Sequence, residues 1–437
     1  MGDVNWAAAV DGLFDNVIGW TGGLVPNQLS NVFLDVAGPA FTVLAESGLL
    51  DDSDIVINTL QTSTNATLKI VGGDSLISDL LGIATNFTDL AGTGLGANLG
   101  KIVIENSLIN NVLGTLTASP ATLVLNGVFD NVGSIAVAAE PGLLSVLGDA
   151  QAVLSVNTFV KLVGSGEVKM LTNTLDDVIT GTGLSSTLYN VNNTIIGAGL
   201  LGDGKLKLVN GLAGVINSTS SKVALIIDTA SNKIINDGLI KNSGFGGTLV
   251  KSNIENNGTL ANTKGVMTVD GSVTGKGAAT ISGGKIDFLS NFSQDVTFGK
   301  SGVLELAKST HYTGAISDFS KTGGTALDLS DIAYGKGTRT SYSGNSKGGV
   351  LTVTDGSHTS HIDMVGNYLG ETFKAVSDGS GGTKVVAEVA KTSAAAQHAF
   401  VAAMSSFGAT PAVSVNSHDG HGLVRNAMIA LPNAHDA

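Results

Sequence analysis

The groups in this sequence that could do chemistry are carboxylates and histidines, and they are few. Acidic residues cluster at 51–54 ("DDSD"), at Leu175–Asp177, at Leu327–Asp331 and around Asp419. Several such oxygens converging on one point would bind Ca²⁺. Asp176, Asp177, Asp328 and Asp331 are therefore the candidate calcium ligands, and a solvated loop is the plainer reading of each cluster. All seven histidines stand at or after His311. His358 with His361, and His418 with His421 across Asp419, have neither the helical His-x-x-x-His spacing nor an obvious third ligand. Chance placement in polar loops is the expectation for both pairs.

Carbohydrate-active enzymes built on β-helices need paired carboxylates or a basic residue in a groove, with aromatic rings for the sugar. Aromatics are 5% of this chain, and its only tryptophans are Trp6 and Trp20. Residues 60–290 contain no Arg, Trp or His, and no phosphate loop appears. The expectation is a protein that is not an enzyme. Trp6 and Trp20 are candidate interface residues.

The repeated groups are amides. "NDGLIKN" at Asn236–Asn242 returns as "NNGTLAN" at Asn256–Asn262. Such a frame suits either a polar ligand face or an internal amide ladder, in which each Asn bonds to its copy in the neighbouring layer. The ladder is favoured. It places Asn236 beside Asn256 and Asn242 beside Asn262.

The elements that would carry such a ladder are strands. "ATLKIVGGD" (66), "GKLKLVNG" (204), "GVMTVDG" (265), "GKIDFL" (284), "GVLELA" (302) and "TALDLSD" (325) share a small–x–apolar–x–apolar phrase. Period-two alternation marks strands with one buried face. The Asn, Gly, Asp and Ser between them suit turns. After Gly204 the phrases recur about every 20 residues, the signature of a solenoid. The predicted fold is all-β, a parallel β-solenoid (β-helix), with about 15–18 coils at strand spacing between residues 60 and 390. Residues 1–60 would form the first coils or an end cap, 61–390 the solenoid, and 391–437 a short helical or irregular module with a helix over 393–407. Residues 29–52 fit either strand or short helix.

Composition narrows the partners. The chain has 437 residues, 59 Gly, no Cys and a formal net charge of −13. Without Cys there is no disulfide framework and no thiolate site. Only Arg339 and Arg425 are arginines, and no basic face suited to nucleic acid is visible. "MGDVNWAAAVDGLF" lacks the basic region of an N-terminal signal. No stretch reaches the roughly 20 apolar residues of a transmembrane helix.

"NNTIIGAGLLGDGKLKLVNGLAGVIN" (192–217), "NKIINDGLIKNSGFGGTLV" (232–250), "ISDFSKTGGTALDLSDIAYG" (316–335) and "SYSGNSKGGVLTVTDGSHTSHIDMVGNY" (341–368) resemble β-strand-repeat proteins of alphaproteobacteria. "FKAVSDGSGGTKVV" (373–386) is similar to the last strands of hemolysin-type exported proteins, and the tail with "QHAFVAAMSSF" resembles that family's C-termini. The resemblance implies the type I secretion machinery as a partner, an uncleaved signal within 391–437 and an extracellular or cell-surface location. It supplies no activity. The calcium-binding nonapeptide GGxGxDxUx is not repeated here, so a calcium-roll mechanism does not carry over. The functional expectation is a structural rod that self-assembles into a filament, surface layer or matrix. The alternatives are an adhesin for a glycan or surface and, after it, a polysaccharide lyase or hydrolase.

Overall fold

The computed structural model describes residues 2–45, 55–71, 85–89, 96–98, 101–105, 107–110, 116–119, 121–139, 151–172 and 174–388. For 85–98 and 105–119 it describes the backbone alone. Residues 390–437 separate as a second unit. The expected C-terminal module, its helix and His398, His418 and His421 lie outside the described residues, as does the acidic run 51–54.

The fold is all-β, a parallel β-solenoid. Each full circuit lays one strand on each of three faces. Asp177–Gly181, Thr187–Asn190 and Thr194–Gly197 make one circuit; Gly199–Gly202, Lys207–Asn210 and Val215–Ser218 make the next. Each strand pairs in parallel with its counterpart one circuit on. Among the described residues the first two faces belong to one 23-stranded sheet and the third face is a 16-stranded sheet. Ala121–Asn131 and Ala152–Val163 run across the first two faces without a break. Residues 29–52, open between helix and strand in the sequence, carry the strands Ser30–Leu34 and Phe41–Ala45.

Alternation explains the core. On the third face the inward position is held by Val43, Leu68, Ile102, Ile135, Val168 and Ile195, each beside the next in register. The column continues through Ile216, Ile240 and Leu260 to Ile316, all at 0% exposure. Burying each such side chain stabilises by about 1.5–3 kcal/mol. β-Branched residues fit the pleated surface they build.

Circuit length is not uniform. Lys101 stands beside Ser134 and Ser134 beside Glu167, circuits of 33 residues. Thr259 stands beside Ala278 and Ala278 beside Asp295, circuits of 19 and 17 residues. Between Ala66 and Ser317 the third face carries 11 described parallel strands, fewer than the coil count expected from the sequence. The early circuits are longer than the repeat suggested, and the parallel stacking stops early.

Beyond Ser317 both sheets finish antiparallel. Thr325–Ala333 still pairs in parallel with Gly302–Leu306, but its other edge takes Gly382–Glu388 antiparallel, followed by Thr372–Ser377. On the third face Thr359–Val365 pairs in parallel with Ala315–Ser317, then antiparallel with Gly348–Thr354, which takes Arg339–Asn345. The region expected as solenoid through 390 therefore ends in a cap. Phe319, Tyr342, Tyr368 and Phe373 fill it in a chain of ring contacts. Thr340 Oγ1 donates to the Phe373 carbonyl at 2.6 Å, tying the two last strands together.

The N-terminal end is closed differently. Gly2–Asn5 is the first strand of the second face and pairs with Ser30–Leu34. The chain then folds back over its open edge: Ala7 N–H donates to Gly19 O and Thr21 N–H to Asn5 O, around an antiparallel bridge between Trp6 and Trp20. The two indoles meet edge to face at 4.8 Å, and Trp20 meets Phe14 at 4.9 Å. A Cβ on Gly12 or Gly19 would run into the Trp6 ring. An open parallel edge invites pairing, and this fold-back covers part of it.

Candidate functional site

The amides of the second face form a ladder at the corner where the chain turns toward the third face. Asn190 Nδ2 donates to Asn210 Oδ1 at 2.9 Å, Asn210 to Asn236 at 2.8 Å and Asn236 to Asn256 at 2.6 Å. Gln294 completes the stack: its Oε1 accepts from Asn256 Nδ2 at 2.7 Å, and its Nε2 donates to the Asn256 and Thr274 carbonyls. All four asparagines are fully buried. The second donor on each Nδ2 reaches a backbone carbonyl, that of the turn for Asn210 (Gly214) and Asn190 (Asn193) and that of Thr259 in the next coil for Asn236. A buried amide that keeps every partner stabilises; one that loses a partner is costly.

Glycine after the asparagine lets the corners stack. A Cβ on Gly258 would collide with the Gly238 carbonyl of the coil before it. A second, shorter ladder lies on the third face, where Asn242 Nδ2 donates to Asn262 Oδ1 at 2.8 Å and Asn262 Nδ2 to Gly283 O at 2.8 Å. Asn236 and Asn256 are thus register partners, as are Asn242 and Asn262. Asn190, Asn210 and Gln294 were missed as rungs; an apolar–x–Asn ending before a Gly marks Asn210 in the sequence, and nothing marks Gln294.

The calcium candidates do not converge. Asp177 is fully buried and is used within the fold. Its carboxylate accepts from Ala139 N–H, Thr172 N–H and Thr172 Oγ1, each at 2.7 Å. Burial nevertheless pushes its carboxyl above the usual range. Asp176 contributes its backbone, accepting from Ala152 N–H at 3.1 Å. Asp331 holds the short 3₁₀ turn Ser309–His311, accepting from Ser309 Oγ, Thr310 N–H and Thr310 Oγ1. Asp328 faces a different set of groups. Among the described residues no group of three or more His, Asp or Glu is placed to hold a metal ion. His358 Nδ1 donates to Asp355 Oδ2 at 3.1 Å and His361 Nδ1 shares a hydrogen bond with Thr352 Oγ1 at 3.1 Å, so neither points at the other. Backbone N–H groups of His358 and Ser357, the His358 ring and the Ala333 N–H hold the Asp355 carboxyl well below the usual range.

Trp6 and Trp20, expected as interface residues, are 3% and 2% exposed. Their indole N–H groups donate inward to Val10 O and Phe14 O. What the N-terminal end presents instead is aliphatic: Ile18 is 82% exposed and Leu24 72%, with Val10 and Leu29 also exposed. "GNSKG" at 344–348 matches Gly-x-Ser-x-Gly, but it is the turn of the antiparallel hairpin between Arg339–Asn345 and Gly348–Thr354. A nucleophile elbow needs a strand-to-helix turn.

One constellation stands outside these expectations. Asp287, Glu305 and Asp328 occupy the same outward position on three successive strands of the first face, and Lys384 takes that position on the antiparallel strand beyond. Lys285 Nζ lies 2.5 Å from Glu305 Oε2 and 3.7 Å from Asp287 Oδ2. Ser330 Oγ donates to Glu305 Oε1 at 3.0 Å. Oδ1 of Asp287 and Oδ1 of Asp328 are buried without a hydrogen-bond partner. Burial, then the Glu305 charge, pushes Asp287 up and brings Asp328 to about 6. The sequence signal was the matching acidic residue in "KIDFL", "VLELA" and "ALDLSD". An open cleft of about 430 Å³ alongside is lined by Glu305, Ser330, Asp331, Asp355, His358 and Asp378 among others.

These features define the class: a capped parallel β-solenoid whose amides are directed inward. No helix among the described residues is long and apolar enough to cross a membrane. Comparison with family models, with curated proteins and with solved structures finds no match.

Proposed function

We propose that this chain is a non-enzymatic extracellular structural protein, a β-solenoid that self-associates into a filament, surface layer or matrix. The observation that carries the reading is the amide ladder from Asn190 to Gln294. The polar groups that recur along the chain are used to lock one coil to the next, which favours a stiff spacer over a binding groove. Association is assigned to the exposed aliphatic residues around the N-terminal fold-back, Val10, Ile18, Leu24 and Leu29. Contacts between unlike ends are heterologous and propagate without closing. Export through a type I machine, read from residues 391–437, is part of the same proposal.

Electron microscopy of the purified protein, with and without Ca²⁺, tests it. Filaments or sheets that disappear in an Ile18→Lys, Leu24→Lys double variant are the expected result. Monodisperse monomers at high concentration, retained on a glycan array, would replace the reading with that of an adhesin. Deleting 391–437 is expected to abolish export.

A further inference from the structure

We propose that the junction between the last parallel coil and the antiparallel cap is an acid-set latch, closed when the Asp328 carboxyl is protonated and loosened when it ionises. The geometry comes first. Asp328 is the residue at which the two architectures meet: Glu305 of the parallel coil is on one side and Lys384 of the antiparallel strand on the other. The charged groups facing it are Glu305, Asp378, Lys384 and Lys285. Lys285 is already engaged with Glu305 and Asp287. Asp287 continues the column behind Glu305, with the Asp270 charge beside it. Three carboxylates one strand apart therefore face two lysines, whose charges offset Asp328 less than its burial and the Glu305 and Asp378 charges oppose it, and ionising Asp328 adds a like charge to a half-buried column.

A partnerless Oδ1 on Asp328 fits the same picture, since a neutral carboxyl there tolerates burial better than a carboxylate. The cap strand Gly382–Glu388 is held by this edge and by Thr372–Ser377. Asp328 titrates near 6 in the fold, above its usual 3.8. A raised carboxyl means that the folded state binds the proton more tightly. Stability is then gained as pH falls from above 6 toward 4, and is lost as pH rises through 6.

The test is hydrogen exchange of the full chain at pH 5.0 and pH 7.5, corrected for intrinsic rates and read on peptides covering 372–388. Opening is expected to be about three- to tenfold less frequent at pH 5.0, the upper figure being the unscreened limit for a half-exposed group. Asp328→Asn is expected to show the slow, closed behaviour at both pH values. Glu305→Gln, which removes the neighbouring charge but leaves the burial, is expected to reduce the response and serves if the first variant does not fold. Equal exchange of the wild type at the two pH values would overturn the latch. So would a full pH response persisting in Asp328→Asn and Glu305→Gln.

Discussion

Replacing Asn236 with alanine tests whether the amide ladder holds the coils together. The side chain makes two amide–amide bonds, accepting from Asn210 at 2.8 Å and donating to Asn256 at 2.6 Å. After truncation Asn210 Nδ2 keeps the Gly214 and Leu239 carbonyls, so its loss is partial. Asn256 Oδ1 loses its amide donor. A buried polar group left unsatisfied costs about 1–3 kcal/mol, so the total expected is about 2–4 kcal/mol. Stacked repeats couple mainly to their neighbours, so the loss should be felt between the circuits that meet at this rung. The assay is urea unfolding of the full chain by circular dichroism, reading the midpoint and the slope. A lowered slope would mean that the two sides of the rung no longer unfold together. Asn257→Ala is the control: Asn257 is exposed, bonds Asp237 at 2.9 Å and should change stability by less than about 0.5 kcal/mol. An Asn236→Ala protein no less stable than the Asn257→Ala control would refute the ladder as a stabilising device.

The remaining predictions are local. Gly258→Ala should destabilise by more than about 2 kcal/mol, measured by thermal melting, because its methyl group meets the Gly238 carbonyl and the corner cannot shift without breaking the ladder. Trp20→Phe should lower the melting temperature, because it removes the indole N–H that donates to the buried Phe14 carbonyl at 2.7 Å. Asp177→Asn should cost about 1–3 kcal/mol in urea, because an NH₂ group would replace one oxygen facing the Ala139 and Thr172 donors.

Strands and their inward faces were legible in the sequence because a buried strand face writes itself as strict alternation, as in Ala66–Val71. The 20-residue offset of the Asn frames was legible because both amides of the frame return after the same single circuit, with no residue inserted between them. Circuit length in the first half was not, since loops that leave the coil, such as the hairpin Ser107–Asn110 with Leu116–Ser119, add residues without adding a rung. The antiparallel end was hidden for a different reason. Gly348–Thr354 and Thr359–Val365 alternate just as the parallel strands do, and alternation carries no information on strand direction. Tryptophan position was read as exposure, but Trp6 and Trp20 supply the bulk that closes a core at its end. The acidic column was written in three matching phrases, yet becomes a column only when the circuit lengths are known.

The fold-back over Gly2–Asn5 bears on how the molecule comes apart under load. In a parallel solenoid the hydrogen bonds between coils lie along the axis, and a chain pulled by its ends peels one circuit at a time. Peeling from the first strand must begin at a bare edge. Here that edge carries the Gly19 and Thr21 bonds and the Trp6–Trp20 contact, so the first event is loss of this clasp. The force needed to start unravelling is then set by some twenty residues at the beginning of the chain, while the ladder further along sets the force needed to continue.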